Sequence, residues 1–157
     1  ASRSADKNHG SYWKLFLAIF ETPRPSMHCT SFVEWLSGKV SAICLPTSCD
    51  VTDNSVHVPD TRDGSAVILQ EHMNMVQTVY RGETFIFQTC PIDVVLKGDV
   101  LAADLTTLGA ADGAGLACLL VMVEHHETFQ HPPHELFFTT DDEPDPFGAM
   151  TIRDGSE

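Results

Sequence analysis

Residues Ser65 to Gln70, SAVILQ, run apolar without a break and end on the polar pair Glu71-His72. A run that alternates in neither the helical nor the half-buried strand rhythm, and that is rich in Val and Ile, predicts a strand covered on both faces. Such strands occur in parallel or mixed sheets. In open α/β sheets ligands collect beyond the carboxyl ends of the strands, so His72 stands where chemistry is expected. A second run of this kind, ELFFTT from Glu135 to Thr140, leads directly into Asp141-Asp142-Glu143. Acidic side chains therefore also follow a buried strand.

The segments around these two runs supply helices. Tyr12 to Phe20, YWKLFLAIF, reads as a buried helix that Thr22-Pro23-Arg24-Pro25-Ser26 must close, because proline and the residue before it resist helical geometry. Ser31-Phe32-Val33-Glu34 has the form of a capping box, and Phe32, Trp35, Leu36, Val40 and Ile43 then recur at helical spacing. Val56-His57-Val58 predicts an edge strand between polar loops, and Thr84 to Thr89, TFIFQT, alternates like a strand. In VLKGDV the Gly98-Asp99 pair marks a hairpin turn. Thr106 to Gly115, TTLGAADGAG, is a small-residue loop that feeds an apolar helix from Leu116 to His126, with Asp112 placed to cap it. The order predicts an α/β fold of three layers, a central mostly parallel or mixed sheet flanked by helices. Residues 1–11 form a polar, flexible start and residues 12–157 one incomplete domain.

Composition narrows the function. The formal charge of -13, from 22 acidic and 9 basic residues, leaves no basic surface for a phosphate backbone or an anionic membrane, so nucleic acid is not an expected partner. The longest apolar run, around Leu116 to Val123, is far short of the roughly 20 residues that a bilayer span requires, so no membrane insertion is expected. An odd set of cysteines without a C-x-x-C pair fits a reducing, intracellular compartment, the cytoplasm or the mitochondrial matrix. The chain starts at Ala1, which fits a processed Met or a removed targeting peptide.

His72, the Asp112 loop and the acids at 141 to 143 gather at strand ends or a helix start. Histidine and carboxylate without cysteine suit zinc or manganese, and two such ions about 3.5–4 Å apart activate water for attack on an amide. Taken singly, the same residues are ordinary surface polar groups. His125, His126, His131 and His134 form a rival cluster, for which a helix end followed by a Pro-rich loop is a sufficient account. His9, His28 and His57 read as surface or locally hydrogen-bonded residues.

Four segments together carry a resemblance. Thr22 to His28 (TPRPSMH), Val67 to Val76 (VILQEHMNMV), Thr106 to Gly115 and Phe138 to Glu143 (FTTDDE) are similar, in order and spacing, to landmarks of the aminoacyl-histidine dipeptidases, which split carnosine-type peptides. The similarity runs from about Tyr12 to Met150 and implies the amino-terminal part of a two-zinc catalytic domain. It implies a His-x-Asp pair of ligand and orienting acid, a bridging Asp, and a Glu-Glu pair of general base and ligand.

Carried over by position, His72 is the first ligand and Glu143 the last, both unchanged. The orienting acid is replaced by Asn74, which carries no charge to raise imidazole basicity. The bridging carboxylate falls at Ala111, whose methyl binds no cation. Asp112 is adjacent, but successive side chains point in different directions and a helix-capping role competes for it. The general-base position holds Asp142, shorter by one methylene. The family's remaining ligands and second domain lie downstream of Glu157, so the chain is expected to be a fragment, to be completed by another polypeptide, or to have lost them. The resulting expectation is a non-catalytic dipeptidase-like domain with no resident cofactor, serving as a structural subunit with protein partners. The alternative is a zinc metallodipeptidase that cleaves Xaa-His dipeptides.

Overall fold

The computed structural model describes residues 2–42, 48–49, 55–58, 64–128 and 131–140. Helix α1 spans Ser2–Glu21 and α2 spans Thr30–Ser41. Strands β1 (Ser48–Cys49), β2 (Ser55–Val58) and β3 (Val67–His72) follow. Next come the hairpin β4 (Val94–Lys97) and β5 (Val100–Ala103), helix α3 (Ala110–Glu124) and strand β6 (His134–Thr139).

The two apolar runs are neighbours. β3 and β6 pair in parallel from Val67 opposite His134 to His72 opposite Thr139, so both strands end at the same edge of the sheet. β6 also pairs antiparallel with β2, and β2 with β1, giving a mixed sheet in the order β1-β2-β6-β3. The α/β class expected from the sequence is therefore the one observed. α3 packs on β3, α1 packs on α3, and α2 packs on β2.

The core is built from one stripe of each helix. Leu15, Phe16, Ile19 and Phe20 of α1 share one cluster with Leu116, Ala117, Leu120 and Val123 of α3 and with Phe32, Val33, Leu36 and Val40 of α2. Leu136 and Phe138, two apart on β6, are fully buried, as the two-residue period of a strand requires.

Several expectations are corrected. β3 is not covered on both faces among the described residues: it is the end strand of the sheet, with Val67 47% and Ile68 64% exposed. β2 is not an edge strand, because β1 and β6 flank it. TFIFQT forms no strand. Phe87 is buried, but Thr89 and Cys90 donate to the Ile86 carbonyl, so local turn bonds replace a ladder. α2 begins one residue before the predicted capping box, with Cys29 as N-cap and no side-chain cap hydrogen bond. α1 starts at Ser2, ahead of the apolar stretch that begins at Tyr12. The Gly98-Asp99 turn is as predicted, with Gly98 at a φ of 69°.

Candidate functional site at the ends of β3 and β6

The last residue of β3 carries the expected histidine. His72 is buried, and its Nδ1 lies 2.9 Å from the backbone carbonyl of Asn74. A carbonyl only accepts, so in the neutral ring the proton sits on Nδ1 and the lone pair on Nε2. That Nε2 lies 3.3 Å from Asp112 Oδ2, and the same oxygen accepts from the His72 backbone N–H at 3.3 Å.

The role expected of Asp112 as helix cap is thereby corrected. Gly109 is the N-cap of α3, in left-handed geometry, and Ala111 and Asp112 have non-helical angles before the regular helix begins. The break in the first turn turns the Asp112 carboxylate toward the strand end. The peptide between Ala111 and Asp112 is cis.

Asn74 is not a side-chain orienter of His72. Its Nδ2 donates to Ser26 Oγ at 2.9 Å, and its backbone carbonyl does the orienting instead. A neutral backbone dipole holds the tautomer, as outer partners of ligating histidines do, without contributing a full charge.

Two participants were not singled out by sequence reasoning. Glu71, next to His72, hydrogen-bonds Asp112. Burial, that bond and the Asp112 charge push its carboxyl up to about 7. Arg24 is 1% exposed and ties three backbone segments together. Its Nη1 donates to the carbonyls of Met73 (2.8 Å) and Asn74 (3.1 Å), and its Nη2 to that of Gly109. The guanidinium lies 5.7 Å from the Phe20 ring centroid and 5.8 Å from that of Phe32, a cation-π setting on both sides. Burial lowers it to about 10, against the pull of the Cys29 thiol and Asp112, so it stays charged at neutral pH.

The small-residue loop now has a physical explanation. A Cβ at Gly109 would lie 2.9 Å from Met75 Cβ, one at Gly113 would lie 2.9 Å from Arg24 Nη2, and one at Gly115 would collide with the Glu71 carboxylate. The signal for Glu71 and Arg24 was present as the glycines that make room for them.

Asp142 and Glu143 lie outside the described residues. Among the described residues no three His, Cys, Asp or Glu side chains converge on one point. His72 and Asp112 present two donors at a separation that suits one tetrahedral cation, for which zinc takes three or four protein ligands. Ala111 adds none, and Asp112 is shared with Glu71. These residues do not fit a pair of zinc ions.

No family model matches the chain. Solved peptidases share its architecture: a tripeptidase of Staphylococcus aureus (TM-score 0.74, 20% identity, 92% of this chain and 39% of that one) and an aminopeptidase of Bacillus cereus (0.72, 21%, 92% and 39%). At those identities the likeness concerns the fold, an α/β peptidase fold. Aminoacylhistidine dipeptidase from Vibrio alginolyticus is more similar, with a TM-score of 0.80 at 28% identity over 94% of this chain and 31% of that one. The cytosol non-specific dipeptidase of Escherichia coli (strain K12) is 28% identical over 145 residues, 90% of this chain and 30% of the relative. The chain is thus homologous to these dipeptidases, and it spans less than a third of their length. Among the described residues no helix is long and apolar enough to cross a membrane.

Proposed function

We propose that this chain is a dipeptidase-like domain without two-metal hydrolysis, acting intracellularly in a structural or interaction role with a protein partner. Ala111 carries the proposal. The family resemblance puts the bridging carboxylate there, and a methyl group neither binds two cations nor screens their repulsion. The nearest carboxylate, Asp112, is engaged with His72 and Glu71. The cytosolic relative supports the location.

A second reading is a zinc metallodipeptidase acting on Xaa-His dipeptides, with His72, Asp112 and Glu143 as ligands and Asp142 as base. The 3.3 Å approach of Asp112 to His72 favours it. Assay of the full natural polypeptide with β-alanyl-histidine and added zinc decides between the two. Absence of turnover supports the first reading. Hydrolysis that disappears on His72→Ala establishes the second.

A further inference from the structure

The histidine cluster after α3, which the site above does not use, folds into a donor set of its own. His131 Nδ1 lies 2.9 Å from His134 Nδ1 and 2.9 Å from the Pro132 carbonyl oxygen. The other nitrogen, His131 Nε2, lies 3.0 Å from the His126 carbonyl oxygen. A neutral imidazole has one proton for two carbonyls. With that proton on Nε2, donating to His126, the Nδ1 lone pair faces the Pro132 carbonyl oxygen and His134 Nδ1, with which it shares either a proton or a cation. A ring N–H held by a backbone carbonyl is also the usual outer partner of a metal-bound histidine.

The spacing, also that of an ordinary N–H···N hydrogen bond, is compatible with one kind of cation. Metal–nitrogen bonds of about 2.0–2.1 Å that meet at about 90° put donor atoms about 2.9 Å apart, whereas the tetrahedral angle puts them about 3.3 Å apart. The His131 and His134 separation of 2.9 Å matches the right angle, the arrangement of square-planar or tetragonal Cu2+ and Ni2+. The geometry points to a single-ion site for such a borderline divalent cation, held by His131 Nδ1, His134 Nδ1 and the Pro132 carbonyl, with water completing the shell. It stands at the start of β6, whereas His72 pairs with Thr139 at the far end, about 17 Å away at the rise of a six-residue strand. It is therefore separate from the His72 and Asp112 pair.

Equilibrium dialysis of the full natural polypeptide against Cu2+ tests the site, with His72→Ala, His131→Gln and His134→Gln variants and the paramagnetic resonance spectrum of the copper-loaded wild type. The expected result is one Cu2+ per chain that survives His72→Ala, shows two imidazole nitrogens in its spectrum, and is bound at least about 10-fold more weakly in either Gln variant. Copper binding unchanged by both Gln variants overturns the proposal. A wild type that takes up no copper, its histidine pair joined by a proton alone, overturns it equally. The spectrum of the wild type decides by itself should a Gln variant fail to fold.

Discussion

His72 Nε2 and Asp112 Oδ2 face each other at 3.3 Å, the first from the last residue of β3 and the second from the broken first turn of α3. A strand end and a helix start thus deliver one imidazole and one carboxylate to the same point. Glu71 occupies the other side of that carboxylate. The pair can grip one cation or share a proton. Ala111, at the position where the family resemblance puts the bridging carboxylate, adds no ligand among the described residues, and the following expectations test this arrangement.

The Glu71 carboxyl, pushed up from 4.5 to about 7 in the folded chain, binds its proton more tightly folded than unfolded. Between those two values the folded state holds more protons, so stability of the metal-free protein falls as pH rises from about 4.5 to about 7. Glu71→Gln removes this dependence, because an amide does not ionise. Urea unfolding of wild type and variant across that range reads the difference as a flattened pH profile, largest at and above pH 7.

Gly115 gives way to the Glu71 carboxylate. Gly115→Ala is expected to push that carboxyl off Asp112 and to return its titration toward the ordinary range, observable by carbon NMR of the labelled glutamate. Combined with Glu71→Ala, the Gly115→Ala change should cost less stability than alone, since the two sites share one contact. Equal costs in both backgrounds would refute the contact.

Gly109 combines a φ of 72° with a near neighbour in Met75 Cβ. An alanine there meets left-handed strain of about 1–2 kcal/mol before any displacement of Met75. Chemical denaturation of Gly109→Ala should show a loss of at least that size. Gly98→Ala, at a hairpin turn with open space around it, should lose only the backbone share.

Arg24 donates at once to two buried carbonyls, those of Met73 and Asn74, and to the part-buried carbonyl of Gly109. Arg24→Met keeps much of the apolar stem but takes a donor from each of them. The Asn74 carbonyl keeps the His72 ring N–H and the Gly109 carbonyl the Gly113 N–H, so the Met73 carbonyl bears the main cost and a loss of about 1–3 kcal/mol is expected in urea unfolding. Arg24→Lys should not restore it, because a single ammonium does not reproduce the fork of a guanidinium. Full recovery with lysine would show that charge alone matters at this position.

Much of the fold was readable in advance because its elements announce themselves locally. SAVILQ and ELFFTT are apolar and short enough to read as strands, and they pair with each other, ELFFTT inside the sheet and SAVILQ at its end. The Gly98-Asp99 turn followed from the backbone it requires. TFIFQT misled because its alternation records that Phe87 faces inward and Ile86 outward, a pattern that a turn satisfies as well as a strand. For the site, the position of His72 was legible and the direction of Asp112 was not. A carboxylate at a helix start reads as a cap, and only the break at Ala111 and Asp112 shows it aimed at the strand. Arg24 was hidden by its chemistry: between two prolines it reads as part of a helix stop, and its burial depends on carbonyls about 50 and 85 residues away in the chain.

The central claim, that Ala111 has removed the two-metal centre, is tested most directly by the zinc content of the full natural polypeptide, wild type beside Ala111→Asp, after dialysis against excess zinc. The account predicts fewer than two equivalents in the wild type and a gain toward two in Ala111→Asp. Two equivalents already bound by the wild type, lost on His72→Ala, would contradict it.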